Sequence, residues 1–106
     1  MTYDLNIYKP HGKKAPFEKW LESLKDKKTR QIIQTRLDRV TFGNLGDVKS
    51  VGEDVFEFRI DYGPGFRVYF SFHGQKILLL LMGGEKHSQA KDIEKAKQYL
   101  KDWKNG

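Results

Sequence analysis

The sequence predicts an α+β fold in which a helical hairpin packs on a mostly antiparallel β-sheet and a C-terminal helix closes the chain. Three observations carry this. Apolar residues recur at helical spacing over residues 16–42, they alternate at a period of two through much of 46–82, and helical spacing returns after Ser88. The implied element order is β-α-α-β-β-β-β-α within one domain spanning residues 1–106.

Tyr3, Leu5 and Ile7 alternate with polar residues and predict a short first strand that stops at Lys9-Pro10. After the loop HGKKA, Pro16 suits the first turn of a helix whose apolar positions Phe17, Trp20, Leu21 and Leu24 form one stripe. Asp26 is placed to cap a second helix, with Ile33, Leu37 and Val40 inward, Arg30, Arg36 and Arg39 largely on its polar side, and Phe42-Gly43-Asn44 at its end. Four strands follow, near Val48 to Val51, Val55 to Tyr62, Phe66 to Phe72 and Lys76 to Met82. The last is apolar throughout, as in a strand covered on both faces. Gly83-Gly84 permits a tight exit, and Ser88 is positioned to cap a closing helix that turns Ala90, Ile93, Ala96, Leu100 and Trp103 inward.

The chain has no cysteine, which excludes disulfide scaffolds, thiolate nucleophiles and cysteine-based zinc sites. Its longest apolar run, Ile77 to Met82, falls far short of the ~20 residues of a membrane span, and no secretory signal is visible, so a cytoplasmic protein with no membrane partner is expected. Twenty Lys and Arg against fourteen Asp and Glu leave a net charge of +6. A domain this basic commonly meets a polyanion, of which nucleic acid is the commonest in cytoplasm.

The stretch FRVYFSF puts Phe66, Val68, Phe70 and Phe72 toward the core and Arg67, Tyr69 and Ser71 on the other face. In the preceding strand Phe56, Phe58, Ile60 and Tyr62 are inward, leaving Glu57, Arg59 and Asp61 outward. Opposed residues of an antiparallel pair share a face, so even must pair with even. Two registers qualify, with Phe66 opposite either Tyr62 or Ile60, and the second sets Arg59 directly against Arg67. Like charges so placed cost ~0.2–1 kcal/mol, which invites a functional explanation. An ordinary ladder in which Glu57 and Asp61 neutralise both arginines accounts for the same residues.

Lys86, His87 and Gln89 fall between the last strand and the closing helix, where helix N-terminal amides favour anions. His11, His73 and His87 are scattered, no carboxylate pair stands at ligand spacing, and GxSxG, Walker and GxGxxG signatures are missing. His73 lies in the FHGQ turn and reads as structural. What these residues suit is metal-free phosphoryl chemistry on RNA, in which the 2′-hydroxyl is an internal nucleophile and Arg or Lys meets the developing charge.

FEKWLESL, GNLGDVKSVG, FEFRI, YGPGFRVYF and LLLMGGEKHSQ, taken together, resemble the RelE/ParE toxin superfamily, and within it the HigB-like, phage-type addiction-module killer proteins. The resemblance implies a type II toxin that cuts mRNA on the ribosome, with an antitoxin partner, often of helix-turn-helix DNA-binding type. It matches Arg67 to the strand arginine that stabilises the scissile phosphate, and Arg59, Lys86 and His87 to positions where relatives carry basic residues. The catalytic tyrosine of RelE has no counterpart here, since Tyr99 lies far along SQAKDIEKAKQYL. His87 is then the candidate for proton transfer, a histidine pKa of about 6.5 suiting the role, with Tyr69 second. The expected site comprises Arg67, Lys86, His87 and Arg59 as catalytic residues and Tyr69, Gln89, Arg39 and Lys49 as substrate-binding residues, without metal or cofactor. A ParE-like gyrase poison of the same fold and a non-catalytic RNA-binding module are the rival expectations.

Overall fold

The computed structural model describes residues 2–106. Its elements are β1 (Asp4–Ile7), α1 (Pro16–Ser23), α2 (Lys27–Thr41), β2 (Val48–Gly52), β3 (Val55–Ile60), β4 (Phe66–His73), β5 (Ile77–Glu85), a 3₁₀ turn (Lys86–Ser88) and α3 (Gln89–Asn105). The α+β class and the element order agree with the sequence. The five strands form one sheet in the order β1-β5-β4-β3-β2. β1 runs parallel to β5 while the other pairs are antiparallel, so the sheet is mixed. None of the described helices is long and apolar enough to cross a membrane.

Local chemistry sets the helix ends. Pro16 occupies the first turn of α1, where its missing N–H is no loss. Asp26 caps α2, its carboxylate accepting from the Lys28 amide at 3.2 Å and from Thr29 Oγ1 at 2.7 Å. Those bonds, the Thr29 hydroxyl foremost, hold the Asp26 pKa below the ordinary carboxylate range. At the other end Gly43, at φ +93°, takes the left-handed position after the Phe42 cap.

Three layers result. On one face of the sheet Phe58, Ile60, Phe66, Val68, Phe70, Leu78 and Leu80 bury against Phe17, Ile33, Leu37 and Val40 of the hairpin. On the other, Val55, Tyr69, Leu79, Leu81 and Met82 bury against Tyr8 and against Ala96 and Leu100 of α3. A β-bulge between Tyr69 and Phe70 shifts the register of β5, so that both Leu81 and Met82 reach the α3 face.

Several expectations are corrected here. The face carrying Arg67, Tyr69 and Ser71 is not solvated, because α3 covers it. Gly83-Gly84 is not an exit but part of β5, which runs on to Glu85. A Cβ at Gly83 would stand 2.3 Å from the Trp20 ring of α1, and one at Gly84 1.9 Å from Asp92 Oδ2 of α3, so both layers close on the strand where it has no side chains. Ser88 precedes α3 but its hydroxyl caps no amide, lying 2.6 Å from Asp92 Oδ2 and 3.1 Å from the Glu85 carbonyl. Ala90 is exposed rather than inward, as are Ile7 and Phe72 at the sheet margins.

Arg36 also departs from the polar side assigned to it. Its guanidinium donates to the carbonyls of Arg59, Leu45 and Asp47 at 2.8–2.9 Å and lies 5.5 Å from the centre of the Phe58 ring. It thereby ties the chain between α2 and β2 to β3, and Gly46, at φ +64°, leaves room for it. Burial pulls its pKa below the ordinary arginine value.

Candidate functional site

β3 and β4 pair with Ile60 opposite Phe66, the second of the two admissible registers. Arg59 therefore stands directly opposite Arg67, and Glu57 opposite Tyr69. The rows continue outward, with Lys49 of β2 opposite Glu57, Gly84 of β5 opposite Arg67, and Met82 opposite Tyr69. The first turn of α3 lies over these rows and brings Gln89 and Asp92 to them.

Arg67 is only 2% exposed and Tyr69 is fully buried. Arg67 Nη1 donates to the Phe66 carbonyl at 2.9 Å, but its Nε and the Tyr69 hydroxyl are buried without a hydrogen-bond partner. Burial raises the Tyr69 pKa, the Glu57 and Asp92 carboxylates raise it further, and Arg67 opposes them. Glu57, also at 0% exposure, accepts two hydrogen bonds from Gln89 Nε2, at 3.0 and 2.9 Å. Arg59 Nε lies 3.8 Å from the same carboxylate, and with its side chain 37% exposed it is the member of the arginine pair that meets solvent.

The turn carrying Lys86 and His87 joins this cluster at its rim. The Lys86 amide donates to the Gly65 carbonyl at 2.9 Å. A Cβ on Gly65, which sits at φ +84°, would lie 3.3 Å from Lys86 Cβ and 3.8 Å from Arg67 Nη1. Lys86, the β3–β4 connection and the Arg67 guanidinium therefore meet in one place. His87 projects into solvent, with Nδ1 3.6 Å from Glu85 Oε1.

Of the eight expected site residues, Arg59, Arg67, Tyr69, Gln89, Lys86 and His87 share this end of the sheet, with Lys49 on its edge strand beside Glu57. Arg39 does not join them. It lines a separate cleft with Lys28, Ile32 and Asp61 in the α2 layer, across the sheet from α3. The Gln89 amide is already engaged by Glu57. Sequence reasoning placed Glu57 on this face only as a counter-charge in a ladder with the arginines, and it missed Asp92. The signal lay in α3, whose inward stripe of Ala96 and Leu100 requires a sheet face, and the hairpin had already taken the even-numbered one. Among the described residues no group of three or more His, Cys, Asp or Glu side chains is placed to hold a metal ion.

Residues 19–101 match the family model described as Phage derived protein Gp49-like (DUF891). The chain belongs to the Gp49-like family. Gp49-like proteins are toxins of toxin–antitoxin systems related to the RelE/ParE-type toxins, which implies a cognate antitoxin partner. A relative from Haemophilus influenzae, named only as an uncharacterized protein, is 46% identical over 81 residues, or 76% of this chain and 82% of its own. In this Gp49-like chain the cluster sets the partly exposed Arg59 and the exposed Lys86 and His87 beside the buried Arg67, Tyr69 and Glu57.

Proposed function

We propose that this Gp49-like toxin is a HigB-like, ribosome-dependent mRNA endoribonuclease that acts in the cytoplasm without a metal, and that its antitoxin is of helix-turn-helix type. The observation that carries the reading is the direct opposition of Arg59 and Arg67, with Arg67 Nε buried and unpartnered. A strand pair accepts two guanidinium groups side by side at a cost unless an anion lies between or above them. A buried donor without a partner costs a further ~1–3 kcal/mol, so both features suit a site completed by a phosphodiester.

In the proposed reaction the 2′-hydroxyl, its proton passing to water, attacks the adjacent phosphorus and the bond to the 5′ oxygen breaks, leaving a cyclic phosphate and a free 5′-hydroxyl. Arg59 meets the phosphate from solvent and Arg67 supports the extra charge of the pentavalent state from below. Lys86 holds the strand at the rim, and His87, which projects into solvent on the same turn, swings toward the bound strand to supply the proton to the leaving oxygen. Full engagement of Arg67 and Tyr69 requires the Gln89–Glu57 contact to open, since that contact closes α3 over them.

The same burial favours a second reading, a ParE-like toxin of DNA gyrase in which the cluster is only a structural network. Induction of the protein in cells separates them. Rapid loss of intact mRNA, abolished by Arg67→Ala, is the outcome expected of the nuclease; relaxed plasmid DNA with mRNA intact selects the gyrase reading, and neither effect leaves a binding module.

A further inference from the structure

The largest cleft described in the molecule, about 1160 Å³, lies apart from the arginine cluster, between the loop after β1 and the C-terminal half of α3. One wall carries Lys9, His11, Lys13 and Lys19, and the other carries Tyr99 and Trp103. The loop has a defined shape. The Lys13 amide donates to the Pro10 carbonyl at 3.1 Å around Gly12, whose φ of +72° suits glycine, so its cations are presented together. The rings are ordered from behind, Tyr99 against Tyr8 at 5.2 Å between centroids and Trp103 edge-on to His73 at 4.8 Å.

Four lysines line the cleft, Lys9, Lys13, Lys14 and Lys19, against the Asp102 carboxylate, which keeps its charge while accepting from the Tyr8 hydroxyl. Glu18 stands beside Lys9, Lys13 and Lys14, and Glu22 pairs with Lys14. Lys9, Lys13 and Lys19 form no ion pair among the described residues, and neither do Lys91 and Lys95. Those last two matter because Lys91, Lys95 and Gln98 fall at i, i+4 and i+7 on α3, all exposed, and Gln98 lines the cleft. The stripe joins the cleft to Lys86 and His87 at the head of the helix, a distance of ~15 Å along its axis.

We propose that RNA leaving the candidate site runs as a single strand down this lysine stripe into the cleft, where its backbone meets the loop lysines and its bases meet Tyr99 and Trp103. The identity of the polyanion rests on the nuclease reading; the continuity of the track does not. A line of cations flanked by aromatic rings is what single-stranded nucleic acid requires of a protein, charge for the phosphates and ring faces for the bases. Tyr99 and Trp103 sit together at the cleft end of the stripe, where unstacked bases can meet them, and an acidic protein segment at the same place is the rival that antitoxin binding by the track variants separates.

The test is binding, not cleavage. A labelled single-stranded 2′-O-methyl RNA, which has no free 2′-hydroxyl to react, is titrated with the full chain by fluorescence anisotropy across a range of salt. Lys13→Ala/Lys19→Ala and Lys91→Ala/Lys95→Ala should each weaken binding about tenfold and reduce the salt slope by about 1.4, the value for two lost phosphate contacts on a single strand. Trp103→Ala should weaken binding at unchanged slope. Lys25→Ala/Lys28→Ala removes the same charge from the α1–α2 layer and should change neither. Equal loss in the control and track pairs, or no binding by the parent chain, overturns the track. So does loss of antitoxin binding by the track variants with RNA binding intact, which would assign the cleft to a protein partner. If the parent chain binds this RNA through the track yet cleaves no mRNA on ribosomes, it is the nuclease reading that fails.

Discussion

The two faces of the sheet are built to different rules. Under the hairpin, Phe58 and Phe70 stack at 4.1 Å with planes 12° apart, and the buried residues are apolar except Thr29, with the half-buried Arg36 guanidinium lying over Phe58. Under α3 the face begins in the same way around Leu79, Leu81 and Leu100, then turns polar toward the head of the helix, where Glu57, Arg67 and Tyr69 are buried together. The first face also holds one unpartnered buried donor, Arg36 Nε, but the rest of that guanidinium is engaged by three carbonyls. The second holds buried polar groups that an apolar replacement would satisfy at lower cost, and stability alone gives no reason to keep them.

That contrast can be broken most heavily from the apolar side. Phe58→Ala should lower the unfolding free energy by about 3–5 kcal/mol, measured by denaturant titration. Gln89→Ala should cost less, about 1–3 kcal/mol, because it strips two hydrogen bonds from the buried Glu57 carboxylate. Pairing it with Glu57→Leu should recover most of that loss, the signature of a coupled pair in a double-mutant cycle. Tyr69→Phe should go the other way, leaving stability unchanged or raising it by up to about 1 kcal/mol, since the hydroxyl it removes is buried without a partner.

The smallest effect at neutral pH, and the sharpest contrast with Tyr69, belongs to Tyr8. Burial, and then its hydrogen bond to Asp102, pushes the Tyr8 pKa up to about 12 from the usual 10. The protonated phenol is thus the form the fold favours. Its contribution is fully present below pH 10 and lost as pH rises through about 12. Ultraviolet titration should show that delayed ionisation, and Asp102→Asn should move it down only part of the way, since burial remains.

Much of the fold was legible because period and capping chemistry are local. The stripe of Phe17, Trp20 and Leu21, the Asp26 cap and the alternation in β3 and β4 each specify their element without help from the rest of the chain. Register parity likewise put Arg59 and Arg67 on one face. What that face met was not local. Whether Arg67 lies in water or under a helix depends on where α3 docks some twenty residues later, and Gly83-Gly84, which looks like a turn, is glycine because Trp20 and Asp92 press on it from two layers. Arg36 and Arg39 are separated for a similar reason, three residues apart on α2 but differing in whether a loop folds back over them.

Cleavage of mRNA on purified ribosomes, followed by primer extension, tests the arginine pair most directly. Arg67→Ala and Arg67→Lys are compared with the parent chain after antitoxin binding and thermal unfolding have shown that each variant is folded. If Arg67 serves the scissile phosphate, Arg67→Ala should reduce the cleavage rate by a factor on the order of a hundred or more, with Arg67→Lys recovering part of it. Cleavage at the parent rate by a folded Arg67→Ala protein, or no cleavage by the parent chain itself, would contradict the assignment.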